Sequence, residues 1–111
     1  MRQSLIRMLQ LSLFAMGLLA VSAGSSQAQS AGETLFTTKC ATCHGPDGKA
    51  DTPAGKSMKI RSFSDPETKK LSDDELAAII EKGKNKMPAY GKSMNPDEIK
   101  AMVAYIRSLA K

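Results

Sequence analysis

The sequence predicts an all-α fold, and three observations carry that reading. Apolar residues recur at helical spacing in three segments. Serine or asparagine caps open those segments. No run alternates apolar and polar residues as a half-buried strand would. The first segment opens at Ser30, with Glu33 three residues on in the spacing of a capping box, and runs through Leu35 and Phe36 into Cys40. The second opens at Ser72 with Glu75 in the same relation. Leu76, Ile79 and Ile80 supply its apolar face and Gly83 its stop. The third has Asn95 as cap, Pro96 at the first helical position, and Asp97 and Glu98 where the helix dipole favours negative charge. Its apolar stripe is Ile99, Met102, Val103, Ile106 and Leu109, with Arg107 and Lys111 near the C-terminal end. Between Gly45 and Lys70 there is no clean period, and Met58, Ile60 and Phe63 are the main apolar side chains. A structureless stretch of that length in a compact domain needs something to organise it.

Residues 1–28 read as a cleaved secretory signal peptide. Arg2 and Arg7 form a basic start, Leu9 to Val21 an apolar run, and Ser26-Gln27-Ala28 a small-x-small cleavage site. A membrane anchor is the other reading, but the run is short for a span and a small, polar stretch follows it. The expected domain is then residues 29–111, with no membrane span, and is read as a monomer exported to the periplasm. Without Arg2 and Arg7 it carries 14 basic and 11 acidic residues, too even a balance, with no dense lysine run, for nucleic acid. A domain of roughly 80 residues rarely builds enough core alone, and this chain has no Trp.

Cys40-Ala41-Thr42-Cys43-His44 is the most informative motif. C-x-x-C-H is the attachment site of a c-type haem. Two thiols so spaced add across the two vinyl groups on one porphyrin edge, giving thioethers at Cys40 and Cys43, and His44 follows as a neutral imidazole ligand for the iron. One haem c per chain, covalently attached, is the cofactor expected. A dithiol redox site normally sits in a βαβ context, for which no strand pattern exists here. A structural zinc site needs four ligands, whereas these are the only two cysteines and His44 the only histidine.

The other face of the iron has four candidate methionines after the leader: Met58, Met87, Met94 and Met102. Met102 lies on the apolar stripe of the last helix and Met94 directly before the Asn95 cap, so both suit packing. Met58 sits in the weakly patterned loop. Met87 is followed by Pro88, which holds it extended, and glycines at 83 and 91 bracket the segment. An extended loop carrying one thioether presents sulfur to a metal, and a gap-filling side chain is the alternative.

The region from Ser30 onward resembles a small class I cytochrome c of bacterial periplasmic type. Gly32, Phe36 and Cys40 are spaced by four as in that family's first helix. Met87-Pro88-Ala89-Tyr90 is similar to its methionine-ligand loop, and Met102-Val103-Ala104-Tyr105-Ile106 to its terminal helix. The resemblance implies a class I cytochrome c fold, with three main helices and loops wrapped around one covalent haem. It implies His44 and Met87 as the axial ligands, and Gly32 packed closely against the last helix near Tyr105. It also implies a proline whose carbonyl orients the ligand histidine, for which Pro53 is the candidate. Tyr90 and Asn85 are candidate hydrogen-bond donors near the ligand loop.

An iron with both axial positions filled suits one-electron exchange rather than catalysis on a bound substrate. The expected function is a soluble periplasmic electron carrier, not an enzyme, meeting redox-partner proteins with acidic docking faces. Lys82, Lys84, Lys86 and Lys92 flank the ligand loop and Lys39 and Lys49 the attachment motif, where they form a positive collar if the haem edge emerges between them. The alternatives are a redox subunit of a dehydrogenase or oxidase complex and, with Met87 off the iron, a five-coordinate haem enzyme or ligand sensor.

Overall fold

The structure is a computed structural model that describes residues 23–111. Six helices follow one another: α1 (Ala23–Lys39), α2 (Ala41–His44), α3 (Pro53–Ser57), α4 (Pro66–Lys69), α5 (Asp73–Lys82) and α6 (Pro96–Leu109). Among the described residues there is no strand; an isolated bridge pairs Lys84 with Met87. No described helix is long and apolar enough to cross a membrane. Most of the expected signal peptide lies outside the described residues.

The three expected helices are α1, α5 and α6, and two of them start as their caps dictate. Ser72 Oγ accepts from the Glu75 N–H (3.1 Å), and the Glu75 carboxylate accepts from the Ser72 N–H (2.7 Å). Asn95 and Glu98 exchange the same pair of bonds at 2.9 Å each. Met94, before the cap, and Ile99, inside the helix, are both in the core and staple the entry of α6. The expected start at Ser30 is corrected. α1 begins at Ala23 and passes through Ser30, whose carbonyl accepts from Thr34 Oγ1 (3.0 Å). No proline interrupts Ala23 to Ser30, and its alanines and glutamines tolerate helix, so Ser30 lies in the helix body rather than at its cap. The short helices α2, α3 and α4 were not expected as elements. Helices α3 and α4 break up the Gly45–Lys70 stretch, and each opens at a proline behind a capping side chain, Thr52 or Asp65.

Helix α1 crosses α6, and α5 packs on α6. The core between them is Phe36, Phe63, Leu76, Ile80, Met94, Ile99, Met102, Val103 and Ile106. Phe36 and Met102 are the largest fully buried side chains, so Met102 serves packing. Gly32 makes the crossing possible. A Cβ there would lie 2.5 Å from the Ala101 carbonyl oxygen and 2.9 Å from Tyr105 Cβ. Four residues on, Phe36 meets the Tyr105 ring at 5.3 Å. Arg107 adds a tether. Its guanidinium donates to Asp73 Oδ1 (3.0 Å) and to the Leu71 carbonyl, tying the approach to α5 onto α6.

The Gly32 contact is with backbone, which cannot rotate away. Gly32→Val should therefore lower stability by about 1–3 kcal/mol, read as a fall in the chemical-unfolding midpoint. An unchanged midpoint would remove Gly32 from the crossing.

Candidate functional site

Helix α1 ends at Lys39, and the chain turns directly into α2, which is the C-x-x-C-H motif itself. Cys40 is the cap of this single turn, and its carbonyl accepts from the N–H groups of Cys43 (3.2 Å) and His44 (3.0 Å). One helical turn sets Cys40 and Cys43 as neighbours on one face, because residues three apart meet there. Both are free and half-buried. Burial pushes the Cys40 thiol up to about 11, against a smaller opposing pull from Lys39. It is therefore a protonated thiol at neutral pH.

His44 closes the turn, and burial holds its pKa below the ordinary histidine value. A neutral ring offers one lone pair, which is what an iron takes. Its Nδ1 is buried without a hydrogen-bond partner. The ring stacks on Phe63, with centroids 4.8 Å apart and planes inclined by 25°. The segment after the motif folds back on it. Ala50 donates to the His44 carbonyl (2.7 Å), and Thr52 Oγ1 donates to the Cys43 carbonyl (2.8 Å) while accepting from Gly55 (2.8 Å). Thr52 was not singled out in the sequence, although its place before Pro53 is the signature of a helix cap. Pro53 does not orient His44. It is the first residue of α3, where a carbonyl points into its own helix, and the Nδ1 it was expected to meet is unpartnered.

Met87 lies in a tight turn after α5. Its N–H donates to the Lys84 carbonyl (2.9 Å), and its carbonyl accepts from the Lys84 N–H (3.2 Å). Asn85 supplies the left-handed position of that turn, at φ 54°, so its role there is backbone geometry. Gly83 ends α5 at φ 76°, and a Cβ on it would lie 2.7 Å from the Met87 carbonyl oxygen. The Met87 side chain is half-buried against the core. Met94 is buried, whereas Met58 is exposed. Tyr90, three residues beyond Met87, donates through its hydroxyl to the Lys39 carbonyl (3.3 Å) and thereby ties this loop to the end of α1 beside the motif.

These residues fit a covalent haem. Two free thiols share one turn, and a neutral imidazole next to them has an orphaned buried nitrogen. Among the described residues, no group of three or more His, Cys, Asp and Glu is gathered as a bare metal ion requires. A surface groove of about 650 Å³ between α5 and α6 is lined by Asp74, Glu81, Met94, Ile99 and Lys100 and includes no residue of the motif.

Comparison with known proteins agrees with this chemistry. Residues 27–106 match the family model described as cytochrome c oxidase, cbb3-type, subunit III. Cytochrome c6 of Diacronema lutheri is 32% identical over 81 residues, covering 71% of this chain and 93% of that protein. The cbb3-type cytochrome c oxidase subunit FixP of Azorhizobium caulinodans is 30% identical over 90 residues, covering 78% of this chain but 29% of that longer protein. Among solved structures, the KustC0563 c-type cytochrome superposes with a TM-score of 0.66 at 34% identity, covering 72% of this chain and 98% of that one.

Proposed function

We propose, from the premise that this chain belongs to the c-type cytochromes and carries one covalent haem c, that it is an exported one-electron carrier with His44 and Met87 on the iron. The observation that carries the reading is the single turn Cys40–His44, with two free thiols beside a neutral, half-buried imidazole whose Nδ1 is buried. The haem supplies an iron that gains and loses one electron. Cys40 and Cys43 would hold its edge as thioethers, and His44 and Met87 would ligate its iron. A thioether favours the ferrous state and raises the potential. With His44 and Met87 both on the iron, exogenous ligands would be kept out and no bond would need to change during exchange. Support for Met87 is the loop that carries it, pinned by the Lys84 bridge, by Gly83 and by the Tyr90 bond to the Lys39 carbonyl at the end of α1. The basic leader and apolar run at residues 1–28 support export to the periplasm.

The partners proposed are redox proteins with acidic docking faces. Lys39, Lys49, Lys82, Lys84, Lys86 and Lys92 are all exposed. The ion pairs among the described residues use Lys56, Lys70 and Arg107 instead. The FixP match favours a second reading, a redox subunit held in an oxidase complex. Native isolation separates the two. A carrier leaves the extract at the mass of one chain plus one haem, whereas a subunit leaves it with its complex.

The ligand set is tested by spectroscopy. The purified protein should keep one haem mass through acid–solvent extraction and show the weak sulfur–iron band of the ferric state. Met87→Ala should abolish that band, lower the potential and admit carbon monoxide to the ferrous iron. If Met58→Ala or Met94→Ala does this and Met87→Ala does not, Met87 is not the ligand. The docking reading is tested by rate. Electron transfer to an acidic partner should slow steeply as salt rises through about 0.1 M, where screening acts over roughly 10 Å. Lys84→Glu with Lys86→Glu should slow it and flatten the salt dependence. Lys100→Glu with Lys111→Glu should do so less, and an equal effect would reduce the collar to net charge.

A further inference from the structure

A ligating imidazole has to be held in one plane, and its second nitrogen ordinarily does this by donating to a carbonyl, a carboxylate or water. His44 lacks that bond. Its Nδ1 is buried without a partner, and the carbonyl expected from Pro53 lies in α3. A flat aromatic face is packed against the ring instead, Phe63 at 4.8 Å and 25°.

Phe63 is itself firmly seated. It is 7% exposed. Its N–H donates to the Gly48 carbonyl (2.9 Å), and its ring fills the space that a side chain at position 48 would need. It also meets Phe36 edge-on at 5.9 Å, and Phe36 meets Tyr105 at 5.3 Å. Four rings therefore run without a gap from α6 to the motif: Tyr105, Phe36, Phe63 and His44.

We infer that Phe63 is the positioning residue for His44, setting the imidazole plane by stacking in place of a hydrogen bond to Nδ1. This rests on His44 being an axial ligand. An acceptor at the second nitrogen would raise the ring's basicity and favour the oxidised iron. A stacked ring fixes orientation and leaves that basicity alone, so geometry and electronics are separated at this ligand.

The test uses the haem-loaded protein and two variants. Phe63→Leu keeps apolar bulk and removes the flat face, whereas Phe63→Tyr keeps the face. In the ferric state the spread of the hyperfine-shifted haem methyl signals tracks the axial ring plane. Phe63→Leu should reorder that pattern, and Phe63→Tyr should restore the wild-type order. Phe36→Leu, which removes the next ring in the series, should loosen the fold yet leave the order unchanged. A wild-type pattern in Phe63→Leu overturns the proposal, as does the same altered pattern in Phe63→Tyr and Phe36→Leu. A second measurement needs no variant. In the diamagnetic ferrous protein, the ¹⁵N shift of His44 Nδ1 should be that of a free N–H, and a hydrogen-bonded shift overturns the proposal with the ligand assignment intact. His44 ring protons absent from the strong ring-current region above a haem would overturn the ligand assignment, and the proposal with it.

Discussion

The closeness of α1 to α6 at Gly32 is the contact on which the rest of the molecule depends. It brings a helix backbone against the Ala101 carbonyl and the Tyr105 stem, a distance that no residue with a side chain reaches. From that point the geometry propagates by helical spacing. Phe36, one turn later, falls under Tyr105, and Cys40, one turn later again, begins the motif. The last helix thus sets where the two thiols emerge, through one glycine and one aromatic pair. Tyr90 then uses the Lys39 carbonyl at the end of the same helix to anchor the loop that carries Met87. Both proposed axial ligands are therefore referenced to α1.

How much of this was legible follows from the type of signal each element carries. Helices α5 and α6 announce themselves because a capping box is a local device, with donor and acceptor three residues apart in sequence and in space. The same pattern at Ser30 misleads, because a helix continuing from upstream leaves no free N–H groups there for the serine to cap. The pattern Gly32–Phe36–Cys40 was readable because close packing demands a missing side chain at one position and a large ring at the next. Short helices α3 and α4 have too few residues to show a period. Their caps, Thr52 and Asp65 before prolines, were the available signal.

The site was legible in its chemistry and not in its support. Cys40, Cys43 and His44 are contiguous, so their relation is set by one turn of backbone. The partner of His44 comes from a long-range contact, and nothing local distinguishes Phe63 from any other aromatic in a weakly patterned stretch. Only the scarcity of aromatics hinted at it: residues 29–111 hold four, Phe36, Phe63, Tyr90 and Tyr105. All four bear on the site in the structure, three as members of one ring series and Tyr90 as a loop anchor. Arg107, placed by the sequence only near the C-terminal end of the last helix, bridges to Asp73 and the Leu71 carbonyl, again a pairing hidden because its partners are distant in the chain.

Backbone conformation divides the molecule in the same way. The long helices are regular, whereas the non-glycine residues with positive φ, Ala50, Lys59 and Asn85, all lie in the segments that follow His44 or precede Met87. Such conformations each cost on the order of 1 kcal/mol or more and persist only where surrounding contacts over-determine them. For Ala50 the contact is visible: it is buried and donates to the His44 carbonyl. For Asn85 it is the reciprocal Lys84–Met87 pairing. The scaffold of α1, α5 and α6 is thus built from cheap, local choices, and the costly ones are concentrated in the segments that follow His44 and precede Met87. In a domain this small, a covalently tethered macrocycle lying against those loops adds apolar bulk that the chain's own core lacks. Under the proposed ligation, the cofactor is what makes the irregular half of the fold worth its strain.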